Sequence, residues 1–529
     1  MSSQFLATPS QHPFSLAAFA DRVWLATTES AIKSRWMIPL CGLAESAIVN
    51  TLNSITDGQL IIHTATRTYL FPPTPRTTLH SDMKGEIRVL KPTFWLRLAA
   101  MSDMGFSEAY MFQEIDCDDL IGVFSVFILN KDKISSMNGV LSSLIATISG
   151  KLASYRFLSN LTNSQSNISV HYDISNDMYA GFLSCDMSYS CAIFPDLDGD
   201  MPPQRSTSSS TSRDSGSQTH SPTVVSFDSG YYNSKLKAEF DTDDVLYEAQ
   251  MRKMAHLCRK ADIRPGHRVL EIGSGWGPLA CYIVTNIPNT TVDTITLSVQ
   301  QVAYVKNRVK EAGIGQTEGE NPRDRIQVHL MDYRNMPAEW EGAFDRIVCV
   351  EMVEAVGQEY LKTYWKQVDW ALKERTGAGV LQCITIPEGR YERYIQEADF
   401  IRKWVRFNFF PGGHLPSLEH LVTSMAAGSQ GRLVIDNIGN IGPHYSRTLR
   451  EWRRRFVASF DEVIAPALKQ DYPYVMNGPN SASELETFKR KWIYYFAYCE
   501  IGFTARVLGN HVISFTREGY RDFGCQTYS

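Results

Sequence analysis

One glycine turn and a few acidic or hydroxyl-bearing strand ends could act together in this chain. Val269-Leu-Glu-Ile-Gly-Ser-Gly-Trp-Gly277 carries Glu271, followed by Gly273, Gly275 and Gly277. Such glycines let the backbone turn sharply and approach a ligand closely. A helix starting near Pro278 would place free N–H groups behind them. Strand, glycine turn and helix form the first unit of a nucleotide-binding α/β domain. Pro278 stands where a dinucleotide fingerprint needs its third glycine. Gly-x-Gly-x-Gly after an acidic strand end suits S-adenosylmethionine, with a dinucleotide site and a purely structural turn as competing readings. Asp332 could accept from an adenine amino group, and Tyr333 could stack on the ring. Thr296, Leu297, Ser298 and Gln301 offer hydroxyls and amides where methyltransferases often carry a carboxylate for the ribose. Glu351 to Glu354 adds two carboxylates.

The elements needed to bring these groups together follow from the pattern. Strands are expected at Val269–Ile272, Thr291–Thr296, Ile326–Leu330, Phe344–Val350 and Ala378–Ile386, with helices near 299–312 and 359–372 between them. Alternating strands and helices predict a mostly parallel sheet with helices on both faces. Ligands of such sheets sit beyond the carboxyl ends of the strands, which puts the glycine turn, Thr296–Ser298, Asp332 and Glu351–Glu354 around one crevice.

Upstream, strands at 58–63, 68–71 and 85–90 and helices at 92–100, 118–127 and 141–158 predict a smaller N-terminal α+β domain over residues 1–160. Trp24, Ile32, Trp36 and Leu43 are among its expected buried positions. The catalytic-type domain is expected over 165–529, interrupted at 202–230 by a Ser/Thr-rich insertion too polar to bury a core. The 529 residues suffice for such a two-domain chain, and 43% hydrophobic with 21% charged residues is ordinary for a soluble globular protein. A net charge of −5 gives no global argument for nucleic acid, and no nucleic-acid partner is expected. Ten cysteines without a CxxC pair or Cys/His metal spacing point to reduced thiols and no metal site. No signal peptide or membrane span is read, so the expected location is cytoplasmic, with peripheral contact to a membrane surface.

Several stretches in order carry a resemblance: His171-Tyr-Asp-x-x-Asn-Asp177, Tyr189-Ser-Cys-Ala192, Leu270-Glu-Ile-Gly-x-Gly-Trp-Gly277 and Ile295-Thr-Leu-Ser-x-Gln-Gln301. Phe344-Asp-Arg-Ile-Val348 with Met352-Val-Glu354, Phe409-Phe-Pro-Gly-Gly-x-Leu-Pro-Ser417 and His444-Tyr-x-x-Thr-Leu449 continue it. Over roughly 165–520 the chain resembles the cyclopropane-fatty-acyl-phospholipid synthase and mycolic acid cyclopropane synthase family. The N-terminal part is more loosely similar to the extra domain of the longer synthases. The resemblance implies a class I methyltransferase fold, S-adenosylmethionine as cofactor and an unsaturated acyl chain of a phospholipid as substrate. It also implies a bicarbonate ion as base. The N-terminal domain would then present the lipid or mediate homodimer contacts.

In that chemistry a cis-alkene attacks the sulfonium methyl, and a base removes a proton from the new methyl so that a ring closes. Water would quench the cation, so the site must be dry and lined by aromatic faces. Trp404, Phe407, Phe409, Phe410, Trp492, Tyr494, Tyr495, Phe496 and Tyr498 are candidates for that lining. By resemblance, Cys191, Glu354 and Tyr445 hold the bicarbonate, with Ile386 contributing its backbone. Cys499 matches a further cysteine suspected of a role, and Tyr189 and Ser190 match the pair that closes over the cofactor. Two departures stand out: Ile384 where bacterial members carry a histidine on the fifth strand, and Ala355 where a histidine often follows the glutamate. Gln382, on the same strand face as Ile384, could replace the former. Arg447, Arg450 and Arg454 share a helix face that could meet phospholipid headgroups. A small-molecule C- or N-methyltransferase and a catalytically inactive lipid-binding relative are the alternative readings.

Overall fold

Seven strands form the central sheet, in the order β10-β11-β9-β8-β5-β6-β7. They are β5 (Arg268–Ile272), β6 (Thr291–Thr296), β7 (Ile326–Leu330), β8 (Arg346–Val350), β9 (Ala378–Thr385), β10 (Leu433–Asn440) and β11 (Gly509–Arg517). The computed structural model describes residues 37–74, 82–136, 176–201, 244–311, 325–396, 400–401 and 413–523. Strands β5 to β9 run parallel, whereas β11 is antiparallel to both β9 and β10. The five parallel strands agree with the expected spans to within two residues. Their burial is nearly continuous, as in β9, where seven of eight residues are buried, because helices cover both faces of a parallel sheet. Helix Pro278–Asn286 opens with Gly277 in the left-handed region (φ 81°) and proline at its first turn, where the missing N–H costs nothing.

The N-terminal unit has a second sheet of order β2-β1-β3-β4, made of Gln59–His63 (β1), Thr68–Phe71 (β2), Lys84–Val89 (β3) and Ile115–Asp116 (β4). Helices Met37–Leu52, Thr93–Met111 and Leu120–Leu129 accompany it. Leu43, expected inside, is 69% exposed. The buried or packed positions of its helix are Cys41, Ala44, Ile48 and Leu52, a stripe at three- and four-residue spacing that leaves Leu43 on the outer face. Trp24, Ile32, Trp36, the helix expected at 141–158 and the insertion at 202–230 lie outside the described residues.

The long helix Ser481–Thr504 ties the two units together. Tyr494 sits 5.3 Å from the ring of Phe124 and 5.9 Å from that of Tyr110. Arg490 donates to the carbonyls of Tyr110 (2.6 Å) and Ile115 (2.8 Å) while its guanidinium lies 4.1 Å from the Tyr110 ring. An Arg490→Ala variant would leave the Tyr110 carbonyl with only the longer bond from the Gln113 N–H (3.3 Å), remove the guanidinium from the Ile115 carbonyl and lose the contact with the Tyr110 ring, and each buried unsatisfied group costs about 1–3 kcal/mol. That variant is expected to lose about 3 kcal/mol in urea denaturation; a loss within error of zero would show that the contact does not hold the units together.

Candidate functional site

The carboxyl end of β8 turns abruptly at Glu351, whose φ is +48°. A non-glycine residue in this region costs about 1–2 kcal/mol, and such strain persists where surrounding contacts enforce it. Here the Glu351 N–H donates to the carbonyl of Gln382 on β9 (2.8 Å). The turn aims the Glu351 carboxylate into a ring of donors. Oε1 accepts from the N–H of Cys191 (3.0 Å), Nε2 of Gln382 (2.8 Å) and Nδ2 of Asn510 on β11 (2.6 Å). Oε2 accepts from the Tyr445 hydroxyl (2.7 Å). Burial raises the Glu351 carboxyl above its ordinary range, and these four donors oppose the rise.

Glu354 lies one short turn further on. Its Oε1 accepts from the N–H of Ile384 (2.6 Å), while Oε2 is buried without a partner. Burial first, and the Glu351 charge second, push this carboxyl up to about 8. The four donors around Glu351 suit its ionised form, and that charge favours the protonated form of Glu354.

Cys191 reaches Glu351 through its backbone. Its thiol instead faces the carbonyls of Ala192 (3.3 Å) and Ile441 (3.7 Å), and burial pushes the thiol well above its usual range. Helix Val245–Lys260 fixes the same loop: Gln250 Nε2 donates to the Ser190 carbonyl and Lys253 Nζ to the Ser190 hydroxyl, both at 2.9 Å. Lys253 is buried, which lowers its pKa, and the charges of Asp186, Glu351, Cys191 and Glu271 act against that fall. The ring of Tyr189 lies 5.0 Å from Trp452, and its hydroxyl is 3.3 Å from that of Tyr495. Tyr445 stacks on Phe503 at 4.6 Å. Tyr445, which donates to Glu351, thus belongs to an aromatic cluster with Trp452 (5.9 Å) and Phe503 (4.6 Å), joined by Tyr189 and Tyr495.

On the cofactor side, Gly273, Gly275 and Gly277 have φ of 99°, 49° and 81°. A side chain on Gly273 would strike Met352 at 2.9 Å and one on Gly277 would strike Val305 at 2.8 Å, whereas one on Gly275 would meet nothing within 4 Å. Gly275 therefore borders open space at the strand ends. At the end of β6 the Thr296 hydroxyl donates to Gln301 Oε1 (2.7 Å) and accepts from the Ser298 N–H (3.1 Å). The Ser298 hydroxyl accepts from the Gln301 N–H (3.2 Å). Gln301 Nε2 is left buried with no partner, a donor available to a ligand. These features fit the polar part of an adenosyl cofactor. Leu297 is half-buried between them.

Other expected residues are committed elsewhere. Glu271 accepts from the Thr294 hydroxyl (2.6 Å), and burial pushes it up to about 8. Asp332 accepts from the backbone and side chain of Arg334, both at 2.9 Å, and Tyr333 packs edge-on against Tyr364 at 5.5 Å. The Ile386 N–H donates to the Pro416 carbonyl (3.1 Å), while the Ile384 N–H is the backbone donor to Glu354. Cys499 is partly buried on Ser481–Thr504 beside Tyr495. Of the aromatic candidates, Tyr495 meets the site, Trp492 and Phe496 pack in the core, and Tyr494 and Tyr498 face the N-terminal unit through Phe124. Trp404, Phe407, Phe409 and Phe410 lie outside the described residues, as do His171, Tyr172 and Asp173.

The basic run is not a free headgroup surface. Arg447 is buried, 4.5 Å from the Phe194 ring, and donates to the Asp196 carbonyl. Arg450 pairs with Asp200 (2.9 Å), and Arg453 with Glu500 (3.0 Å). Arg454 is exposed but pairs with Glu451. Arg447 and Arg450 are held by the 194–200 segment and by Glu500, whereas Arg454 stays on the outer side of the helix.

Sequence reasoning missed three members of the site: Asn510, Lys253 and the central place of Glu351. Glu351 alone had a local signal, its position at a strand end beside Met352-Val-Glu354.

The sheet order with an antiparallel β11, and a ligand site at the parallel strand ends, define a class I methyltransferase fold. Among solved structures, coclaurine N-methyltransferase matches with a TM-score of 0.51 at 16% identity, covering 78% of this chain and 99% of that one. The chain belongs to the mycolic acid cyclopropane synthetase family, whose model matches residues 159–207 and 230–512. It is 28% identical over 417 residues to tuberculostearic acid methyltransferase UfaA1 of Mycobacterium tuberculosis, covering 79% of each chain. It is 26% identical over 441 residues to cyclopropane-fatty-acyl-phospholipid synthase of Escherichia coli K12, covering 83% of this chain and 90% of the relative. Sphingolipid C9-methyltransferase A of Emericella nidulans is 29% identical over 273 residues, 51% of this chain and 46% of that one.

Proposed function

We propose that this protein is an S-adenosylmethionine-dependent methyltransferase that alkylates the cis double bond of an unsaturated acyl chain in a phospholipid, forming a cyclopropane ring. The observation that carries the reading is the buried pair Glu351 and Glu354 at the strand ends, with Tyr445 joining Glu351 to an aromatic cluster of Trp452, Phe503, Tyr189 and Tyr495, together with the open space at Gly275. Relatives named for fatty-acyl, phospholipid and sphingolipid substrates support a lipid acceptor.

When bound, the cofactor supplies a sulfonium methyl carbon open to attack. The aromatic cluster excludes water and presents π faces to positive charge developing on the acyl chain. Gln301 Nε2, Ser190 and the turn at Gly275 are the groups that orient the cofactor. Tyr445, Gln382, Asn510 and the Cys191 N–H hold the Glu351 carboxylate in place. Among the described residues no helix is long and apolar enough to cross a membrane. The N-terminal unit, joined through Ser481–Thr504, presents the lipid.

Expression in a host that makes unsaturated phospholipids, followed by lipid mass spectrometry, tests this. The expected product is an acyl chain heavier by one CH2 that resists hydrogenation. A methyl-branched chain would keep the lipid acceptor and remove the ring. Unchanged lipids, with methyl transfer to small amines instead, would sink the proposal.

A further inference from the structure

The donors that the family resemblance assigns to a bound bicarbonate already surround a carboxylate of the chain itself. Cys191 through its N–H, Tyr445 through its hydroxyl, and Gln382, from the strand position considered as a histidine replacement, all donate to Glu351 at 3.0, 2.7 and 2.8 Å. Asn510 adds a fourth bond at 2.6 Å. An ionised carboxylate only accepts, so this ring of donors is matched to one anion. A bicarbonate placed among the same donors would set a second negative charge against the first. The residues present do not fit the added ion.

We infer that Glu351 is the base of the reaction, a built-in carboxylate standing in the place the resemblance gives to bicarbonate, so that the protein works without the exogenous ion. The inference rests on the proposed reaction at a lipid double bond. There the alkene π pair bonds to the sulfonium methyl carbon as the carbon–sulfur bond breaks, and that bonding pair leaves with the sulfur. Glu351 takes one proton from the new methyl, the freed C–H pair closes the ring, and the positive charge on the chain is cancelled. A proton next to a carbocation is strongly acidic, so a carboxylate weakened by four hydrogen bonds is still basic enough. The left-handed backbone at Glu351 keeps the carboxylate at the strand end, beside Tyr445. Lys253, buried among Ser190, Glu271 and Glu351, offsets the retained charge.

Two measurements decide it. Calorimetric titration of the purified protein with sodium bicarbonate is expected to show no binding to wild type and binding to Glu351→Gly, where the carboxylate is gone. In carbon dioxide-depleted buffer with vesicles of a dioleoyl phospholipid, wild type is expected to turn over at its full rate. Glu351→Gln is expected to fall at least ~100-fold with cofactor affinity unchanged, and Glu351→Gly to recover in part when bicarbonate is added. Bicarbonate binding to wild type, a requirement for bicarbonate, or full turnover by Glu351→Gln would each overturn the inference. The titration needs no turnover, so it decides the matter even if the vesicles are not alkylated, which would count against the lipid reaction alone. It decides equally if Glu351→Gln loses cofactor affinity through misfolding.

Discussion

A Gly275→Asn variant is expected to fold like wild type and to lose S-adenosylmethionine affinity by at least ~100-fold, about 2.7 kcal/mol. Asparagine tolerates the left-handed backbone better than other side chains, so the φ of 49° at this position does not by itself unfold the turn. Its side chain would enter the open space that no protein atom fills within 4 Å. The neighbouring glycines give the contrast. Gly273→Ala would press on Met352 and Gly277→Ala on Val305, at 2.9 and 2.8 Å, so both should lose stability as well as affinity. Calorimetric titration with cofactor, beside urea denaturation of all three variants, checks the pattern. Unchanged affinity in Gly275→Asn would mean that the cofactor does not lie against this turn.

Replacing Glu354 by glutamine is expected to flatten the pH dependence of stability and to reduce turnover at least tenfold while leaving cofactor affinity intact. In the folded chain burial, then Glu351, raises this carboxyl from 4.5 to about 8. A raised carboxyl means that the folded protein holds a proton that the unfolded chain releases above pH 4.5. Its stabilising contribution is therefore full below 4.5, falls as pH rises, and is gone above about 8. At about 1.4 kcal/mol per unit, the difference across that window is on the order of 5 kcal/mol. Glu271, also pushed up to about 8, adds the same slope to both proteins, so the comparison must be variant against wild type. Urea midpoints at pH 5, 6.5 and 8 should show glutamine gaining on glutamate as pH rises. Parallel profiles would mean that Glu354 titrates normally. The amide oxygen can still accept from Ile384, which preserves the local fold, while the titrating carboxyl beside Glu351 is gone.

The parallel half of the sheet was legible because each strand, turn and helix there is encoded by neighbouring residues. Val269 to Gly277 announces a strand and a glycine turn within nine positions, and the structure has both. The antiparallel β10 and β11 had no such local signature; their alternating or mixed patterns gain meaning only when β11 pairs with β9. Ordered motifs were enough to indicate the family and the positions of Cys191, Tyr445, Glu354 and Gln382. They gave no sign of the Ile384 N–H, which donates to Glu354. The arginine run read as a headgroup surface because charge is visible in a sequence and its partners are not; Asp200 and Glu500 stand some 250 and 50 positions away from Arg450.

The amino-acid sequence by itself determined the glycine turn, the alternation that makes the sheet, and the residue types gathered at the strand ends. Tertiary structure alone decided which carboxylate stands at the centre. Glu351 meets Cys191 from 160 positions away, Asn510 from 159 and Tyr445 from 94. Those contacts depend on the pairing of β8, β9 and β11 and on one left-handed residue that turns a side chain inward. Backbone geometry of that kind, set by packing across the whole sheet, has no counterpart in local spacing.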